Sequence, residues 1–221
     1  MAVVRHRRWL IGSGALALLL FSPVMALLIE AFSADAGLLQ QLWQTVLPTY
    51  LFNSLSLVAL VVLFAVLLGL PCGWLLANYQ LPGHRYLEWA LILPLAMPAY
   101  VVAYIYTDLL DYTGWLQIQL RGLFGWQSAA DYWFPDLRTL GGAAIMLSLV
   151  LYPYVYLLTR AGFLEQSANL QDAGRMLGAN PWQRFFRISL PLVRPALIGA
   201  MTLVAMETLA DFGTVSVFGY D

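Results

Sequence analysis

The sequence has 221 residues, of which 61% are hydrophobic and 10% are charged, and its net charge at pH 7 is −1. Because soluble domains carry about a quarter charged residues, this composition indicates an integral membrane protein. The small net charge argues against nucleic-acid binding, because it provides no electrostatic attraction to phosphates. The single cysteine, Cys72, lies in an apolar run away from any Cys or His cluster with metal-ligand spacing. The sequence therefore predicts no disulfide within the chain and no metal or other cofactor bound by it.

Five apolar segments follow one another along the chain, and each is long enough, or nearly so, to cross a hydrocarbon core of about 30 Å as a helix. Residues 57–70 do not alternate polar and apolar side chains as the strands of a membrane barrel do. The sequence therefore predicts an all-α integral membrane protein, a helical bundle of at least five transmembrane spans. The predicted spans are residues 9–32, 51–77, 87–110, 141–158 and 192–209, with kinks expected at Pro94, Pro98 and Pro153.

The chain begins with a basic segment followed by a long apolar run, which is also the order found in a secretory signal peptide. The apolar run from Trp9 to Phe32 exceeds the length of about 7–15 residues that is typical of a signal peptide. We therefore interpret this run as an uncleaved first span.

The arginines predict the orientation of the bundle, because the cytoplasmic loops of multi-pass proteins are enriched in Arg and Lys. With five spans, nine of the eleven arginines fall on one side of the membrane, before the first span or around the connections after spans two and four. The sequence therefore predicts that this arginine-rich side, and with it the N-terminus, is cytoplasmic. The other side receives Asp35, Asp108, Asp111, Asp131 and Asp136.

The loop after the third span, residues 111–139, is rich in Trp and Tyr, which favour the headgroup level of a bilayer. We expect a short helix there, from about Trp115 to Phe124, with Arg121 near lipid phosphates. A packed outer loop without a role in transport is an equally good interpretation.

Acidic residues near the span ends are candidate pathway residues, because carboxylates at membrane depth are costly and often face a cavity or a partner. Glu207 and Asp211 lie four residues apart near the end of span five, where their oxygens would suit a hard metal cation. The interpretation that we favour is that both lie near the outer interface, or cap broken helix ends, and bind nothing. Asp108 and Asp111 are more typical of an interfacial belt than of metal ligands, and the tyrosines of that belt are Tyr104, Tyr106 and Tyr112.

A polar stretch, residues 170–191, interrupts the apolar chain between spans four and five. Gly178 favours a helix stop, and Asn180 followed by Pro181 suits the start of a second helix. The stretch therefore predicts a helix–turn–helix hairpin over about residues 165–191. Two interpretations remain open from this pattern: a docking element for a cytoplasmic partner, or an amphipathic loop that packs beneath the bundle.

Each predicted helix of the hairpin has a defined face. On the first helix, Asp172 lies within reach of Arg175 for an i, i+3 ion pair, and the neighbouring face is formed by Leu170, Ala173 and Leu177. On the second helix, one face is mainly aromatic, and arginines on the other faces suit lipid phosphates. That face comprises Trp182, Phe185, Phe186 and Ser189, and the arginines are Arg184 and Arg187.

The spacing of this stretch resembles a signature of the permease subunits of bacterial ABC importers, which reads E-A-A, three residues, G, nine residues, I-x-L-P. Here Asp172-Ala173-Gly174 is followed at that spacing by Gly178 and then by Ile188-Ser189-Leu190-Pro191, with Asp in place of Glu and Gly in place of the second Ala. The resemblance implies the permease fold of type I ABC importers, with the hairpin as a coupling helix that contacts the ATPase subunits. It assigns the coupling role to Asp172, Ala173, Gly174, Gly178, Ile188, Leu190 and Pro191.

Three further stretches, residues 91–114, 147–167 and 206–219, are similar to the permeases of periplasmic ferric-iron ABC importers. The resemblance implies a multi-pass protein of the bacterial inner membrane that moves ferric iron from a periplasmic binding protein into the cytoplasm. It implies that the chain is not an enzyme, because partner ABC ATPase subunits in the cytoplasm use the ATP, and no GxxxxGK[ST] motif occurs in the sequence. The other expected partners are membrane lipid and a second permease module, supplied by the same full-length chain or by a homodimer.

Two points remain open from the resemblance. Thiamine and polyamine permeases share the architecture, and a secondary transporter driven by an ion gradient is a less favoured alternative that leaves the hairpin unexplained. Relatives often carry two such modules in one longer chain, and at least one more span is expected after Asp221. We therefore interpret the sequence as an N-terminal portion or a product truncated at its C-terminus.

Overall fold

The computed structural model describes residues 2–33, 36–136 and 138–211. In these ranges the chain forms helices joined by turns and loops, and they contain no strand. The prediction of an all-α fold is therefore confirmed. The structure divides after Tyr50 into two compact units.

The first unit contains helix α1 (Ala2–Ser33), helix α2 (Ala36–Thr45) and the first residues of helix α3 (Leu47–Asn78). The segment Trp9–Glu30 of α1 is long and apolar enough to cross a membrane, and its side chains are exposed around the whole circumference of the helix. Such a helix needs lipid or other protein helices around it. α1 therefore suits the first predicted span.

The second unit continues α3 and adds seven α-helices in the described ranges. They are α4 (His84–Ala90), α5 (Ala99–Leu110), α6 (Trp115–Phe124), α7 (Leu140–Leu164), α8 (Ala168–Met176), α9 (Pro181–Arg184) and α10 (Leu190–Ala210). Two 3₁₀ turns, Leu93–Ala96 and Ala129–Asp131, and one π-helical turn, Phe185–Ser189, complete the described structure. The helix expected in the outer loop is confirmed as α6.

Helices α3, α7 and α10 form the core of the second unit. Two glycines let α3 and α7 approach closely, because a Cβ atom on Gly69 would lie 2.7 Å from the backbone oxygen of Tyr152, and one on Gly73 would lie 2.6 Å from Oγ1 of Thr159. Small residues four apart are a common way for membrane helices to pack. The apolar residues completely buried in this core are Val61, Ala65, Ala144, Val155, Ala200 and Val204.

The third predicted span, residues 87–110, is not one continuous helix, and the break expected near Pro98 is confirmed. Met97 has an extended backbone (φ −113°, ψ 136°), because the proline at position 98 disfavours a helical conformation in the residue before it. The chain turns by 94° between the segments His84–Ala96 and Ala99–Phe124. The described residues therefore contain four helices long and apolar enough to cross a membrane, or five spans if this bent pair counts as one.

The hairpin predicted over about residues 165–191 does not end at Pro191. α9, the π-helical turn and α10 form one continuous helix from Pro181 to Ala210. In the π-helical turn, the N–H of Leu190 donates to the backbone oxygen of Phe185, five residues earlier. This wider turn lies directly before Pro191, and it relieves the local crowding that a proline ring creates in a regular α-helix. The hairpin thus leads into the last described span without a break.

Candidate functional site: a coupling hairpin

The turn of the hairpin is fixed by backbone hydrogen bonds around Gly178. This glycine has a φ of 76°, in the left-handed region that other residues adopt at a cost. Its N–H donates to the backbone oxygen of Arg175 at 2.9 Å, and the N–H of Ala179 donates to that of Gly174 at 3.0 Å. The predicted helix stop at Gly178 is confirmed.

The second arm of the hairpin starts with a reciprocal cap. Oδ1 of Asn180 accepts from the N–H of Gln183 at 2.8 Å, and Oε1 of Gln183 accepts from the N–H of Asn180 at 3.0 Å. Pro181 occupies the first turn, where its missing N–H costs nothing. The predicted cap at Asn180 is confirmed, and local sequence therefore defines the turn and both helix ends that flank it.

The described outer surface at the end of α8 is open, and we call five exposed residues there the hairpin tip: Asp172, Ala173, Arg175 and Met176 on the helix, and Leu177 directly after it. The predicted ion pair is confirmed, with Oδ1 of Asp172 3.1 Å from Nη1 of Arg175. Met176 and Leu177 are 89% and 87% exposed, respectively, so two long apolar side chains stand beside that pair. Ala173 and Leu177 point outward together as expected, and the side chain of Leu170 lies outside the described residues.

Met176 is a member of the tip that the sequence analysis missed. It precedes the helix stop by two residues, and a large apolar residue at that point of an amphipathic helix is the signal that was available. An exposed apolar cluster rimmed by charges is a common feature of protein–protein interfaces.

Gly174 faces the interior of the hairpin instead of the tip. A Cβ atom on Gly174 would lie 2.8 Å from Cδ1 of Ile188 and 3.3 Å from Cγ of Arg184. The glycine therefore lets α8 pack directly against the second arm. Gly174 and Ile188 hold the two arms together, whereas the resemblance assigned both to the coupling contact. Leu190 and Pro191 are also half-buried, in the helix that follows.

Aromatic side chains attach the second arm to α3 and α7. The buried ring of Phe185 lies 5.0 Å from the ring of Trp74 on α3 and 6.5 Å from that of Phe163 on α7. Trp182 stacks on Trp74 at 6.2 Å. Nε2 of Gln166 adds a hydrogen bond of 2.9 Å to the backbone oxygen of Ser189. The hairpin is thus fixed to two long helices, at the end where α3 and α7 terminate, which we call the hairpin end.

The sequence analysis missed Trp74 and Phe163 as attachment residues. Each lies among apolar residues near the end of a long helix. The apolar character of these neighbours indicates a position in the membrane, but it does not indicate which residue each aromatic ring contacts. The aromatic face predicted on the second arm divides in the structure. Phe185 and Ser189 are buried, while Trp182 and Phe186 are mostly exposed.

The candidate pathway carboxylates do not form a shared site in the described residues. Glu207 is exposed on α10, whereas Asp211 follows the end of that helix with a non-helical backbone (φ −88°, ψ 81°). Their spacing of four therefore does not place them on one helix face. No group of three or more His, Cys, Asp or Glu residues suited to a metal ion occurs in the part of the chain that the structure describes.

The outer loop is held by its own polar network. Arg121 donates to the backbone oxygen of Tyr112 at 2.8 Å and to the hydroxyl of Tyr132 at 3.0 Å, and it stacks over the ring of Tyr112. These bonds occupy the guanidinium that was expected to face lipid phosphates. Asp111, directly after α5, accepts from the N–H of Tyr112 at 2.7 Å and pairs with Arg138 at 3.7 Å.

Comparison with known proteins agrees with the arrangement. Residues 65–221 match the family of the binding-protein-dependent transport system inner membrane component. The chain is 31% identical to the molybdenum transport system permease protein ModB of Escherichia coli K12, over 80% of this chain and 71% of that protein. It is 29% identical to the sulfate transport system permease protein CysW of the same strain, over 95% and 70%.

A third relative is the Fe(3+)-transport system permease protein FbpB 2 of Haemophilus influenzae, 26% identical over 77% of this chain and 29% of that protein. These relatives are named for three different cargoes, so the family prediction is confirmed while ferric iron is not singled out. The chain belongs to the binding-protein-dependent transport system inner membrane components, the permease subunits of ABC importers.

Proposed function

We propose that this permease moves its cargo inward when the hairpin tip docks on a cytoplasmic ABC ATPase and transmits the movement of that ATPase to the bundle. The observation that carries the proposal is the contrast between the tip and its support. Met176 and Leu177 are almost fully exposed beside the Asp172–Arg175 pair, while the second arm is fixed to α3 and α7 through Phe185. A rigid element with an open apolar end suits the transmission of force between two proteins.

The hairpin end is the cytoplasmic end in this proposal. The structure brings Arg85, Arg160 and the arginines of the hairpin to that end, because Arg160 on α7 pairs with Glu88 on α4 and Trp74 on α3 contacts Trp182. Enrichment in arginine is typical of the cytoplasmic side of a multi-pass protein. The N-terminus of the first predicted span then also lies in the cytoplasm.

The ATPase is a separate subunit in this proposal, and a periplasmic binding protein delivers the cargo. A second permease module, in the same full-length chain or in a second copy, completes the pathway. Family membership supports all three partners and leaves the ion-gradient alternative without support. Membrane lipid surrounds the apolar faces of the long helices in this proposal. On α1, the side chains of Trp9–Glu30 are exposed and available for such contact.

The cargo is a small inorganic ion in this proposal. Ferric iron is the first candidate, from the similarity of residues 91–114, 147–167 and 206–219 to ferric-iron permeases and from the 26% identity to FbpB 2. An oxyanion such as molybdate or sulfate is the second candidate, because the identity to ModB is 31% over a larger share of that protein. Uptake of labelled ferric, molybdate and sulfate ions by vesicles carrying the full transporter decides between these candidates.

The docking step is tested with two matched substitutions in the full-length protein. Leu177→Asp places a charge on the hairpin tip, whereas Leu123→Asp places it on α6, where the leucine is 77% exposed. We expect Leu177→Asp to abolish copurification of the ATPase and ATP-driven uptake, and Leu123→Asp to preserve both. Normal copurification and uptake by the Leu177→Asp protein would overturn the docking proposal.

A further inference from the structure

The ion pair between Glu88 and Arg160 joins two segments that are 72 residues apart in the chain. Arg160 lies on α7 and Glu88 on the short helix α4, and their side chains are 25% and 28% exposed, respectively. Nε2 of His84 also lies 3.0 Å from Oε1 of Glu88. The carboxylate therefore holds two basic side chains in a place that is mostly shielded from water.

Glu88 is what compensates the charge of Arg160 in the described residues. Nε of Arg160 is buried and has no hydrogen-bond partner in the parts of the chain that the structure describes, so the guanidinium depends on its Nη2 contact with Glu88. A partly buried cation has given up part of its hydration. If it then loses its ion-pair partner, its charge is left uncompensated, which is destabilising. This dependence makes the contact more than an exposed surface pair.

Arg160 occupies the part of α7 that holds the hairpin. Three residues later, Phe163 packs on Phe185, and six residues later, Gln166 donates to the backbone oxygen of Ser189. A movement of the hairpin therefore acts on the end of α7, and the ion pair of Arg160 connects that end to α4.

The segment that contains Glu88, residues 84–98, lies between two sites where the backbone changes direction. Gly83, with a φ of 77°, precedes α4, and the extended residue Met97 precedes the 94° turn into α5. The 3₁₀ turn Leu93–Ala96, near the C-terminal end of this segment, packs against α7. The Glu88–Arg160 pair fixes the N-terminal end to the same helix. The bent segment is thus attached to α7 at both ends, and one attachment is an ion pair.

We infer that Glu88 and Arg160 are positioning residues for coupling, which transmit the movement of the hairpin to the bent segment 84–98. The inference rests on the proposed function, because it needs the hairpin to be moved by an ATPase. The pair keeps α4 moving with α7 during each cycle of ATP hydrolysis. Without it, the ATPase still docks and hydrolyses ATP, but the bent segment no longer follows and fewer ions cross per ATP.

The experiment uses the full transporter, with its ATPase and binding protein, reconstituted in vesicles. Uptake of the labelled cargo and ATP hydrolysis are measured together, and their ratio is the readout. We expect Glu88→Gln and Arg160→Gln each to lower the ratio by about fivefold with the ATPase still bound. The exchange Glu88→Arg with Arg160→Glu restores most of the ratio. Arg138→Gln, which removes the more exposed pair with Asp111, leaves the ratio unchanged.

A neutral pair, Glu88→Gln with Arg160→Gln, covers the case in which a single variant fails to insert, because it leaves no uncompensated charge. It is expected to insert and to show the same low ratio. A normal ratio in the neutral pair, or a low ratio that the exchange does not restore, would overturn the inference. Absence of ATP-driven uptake in the unmodified transporter would instead contradict the proposed function, so the two failures are distinguishable.

Discussion

The rings of Trp74 and Trp182 lie 6.2 Å apart and within 26° of parallel, joining the end of α3 to the second arm of the hairpin. Trp74 also contacts Phe185 edge to face at 5.0 Å. This cluster fixes the hairpin to α3. Such a fixed attachment is needed for coupling, because an element that moves freely relative to its support cannot transmit force.

Replacement of Trp74 by Ala removes both ring contacts. We expect Trp74→Ala to destabilise the hairpin attachment by about 2 kcal/mol and to lower ATP-driven uptake more than ATPase binding. Trp74→Phe keeps an aromatic ring at the same position and serves as the control. Uptake assays of both proteins in vesicles check the expectation, and equal uptake by the two would show that the attachment does not matter.

Gly178 is the position where a side chain disturbs the turn most directly. Its φ of 76° makes Gly178→Gln cost about 1–2 kcal/mol, although no atom would touch the new Cβ. Gly122→Gln on α6 is a matched control, because that glycine is helical and also has open space around it. We expect ATPase copurification to fall for Gly178→Gln and to remain for Gly122→Gln. Equal copurification of the ATPase with both variants would contradict a requirement for the turn geometry at Gly178.

Substitutions at Gly174 separate its packing role from a direct role in docking. Gly174→Ala brings a methyl group against the flexible end of Ile188, so we expect uptake to stay within about twofold of the unmodified protein. Gly174→Leu has no room between the arms, and we expect it to abolish uptake. Full-length proteins are compared at equal amounts in the membrane, and normal uptake by Gly174→Leu would mean that the arms are not packed as described.

The outer loop offers a test of pH dependence. The backbone N–H groups of Ser128 and Gln127, in that order of importance, hold the pKa of the Asp131 carboxyl below its usual range. Because the folded pKa is lowered, the carboxylate stabilises the loop at neutral pH, and this contribution is lost as the pH falls through the lowered pKa. We expect Asp131→Asn to raise amide hydrogen exchange at residues 127–131 at pH 7.

The same exchange experiment carries its own control. Asp136→Asn removes the charge from the carboxylate that accepts the N–H of Arg138, which weakens that hydrogen bond, and it is expected to affect residues near 138 alone. Corrected for intrinsic exchange rates, the unmodified protein should approach the Asp131→Asn protein at acid pH. Identical protection of residues 127–131 in both proteins at neutral pH would contradict the role of this carboxylate.

Local signals in the sequence were sufficient for the hairpin turn. The stop at Gly178 and the cap at Asn180 depend on residues no more than four positions away, so spacing alone predicts them. α6 follows in the same way from the apolar and aromatic run at Trp115–Phe124. Apolar length also predicted that the long segments are helical.

Contacts between distant residues were not predictable in this way. The packing of Gly174 against Ile188 joins residues far apart in the chain, and nothing near Glu88 in the sequence indicates Arg160. Pro98 predicted the break in the span at 87–110, but the 94° size of the bend was not predictable from the proline alone. The continuous helix through Pro191 was missed because a π-helical turn leaves no local signal that spacing rules read.

In the proposed mechanism, the hairpin tip contacts an ATPase while the bundle moves its cargo. A photoreactive amino acid at position 177 of the full-length protein, in the assembled transporter, identifies the protein that lies against the tip. We expect irradiation to link position 177 to the ATPase subunit, and the same probe at position 123 to give no such link. Links from position 177 solely to the permease itself, or to the periplasmic binding protein, would contradict this mechanism.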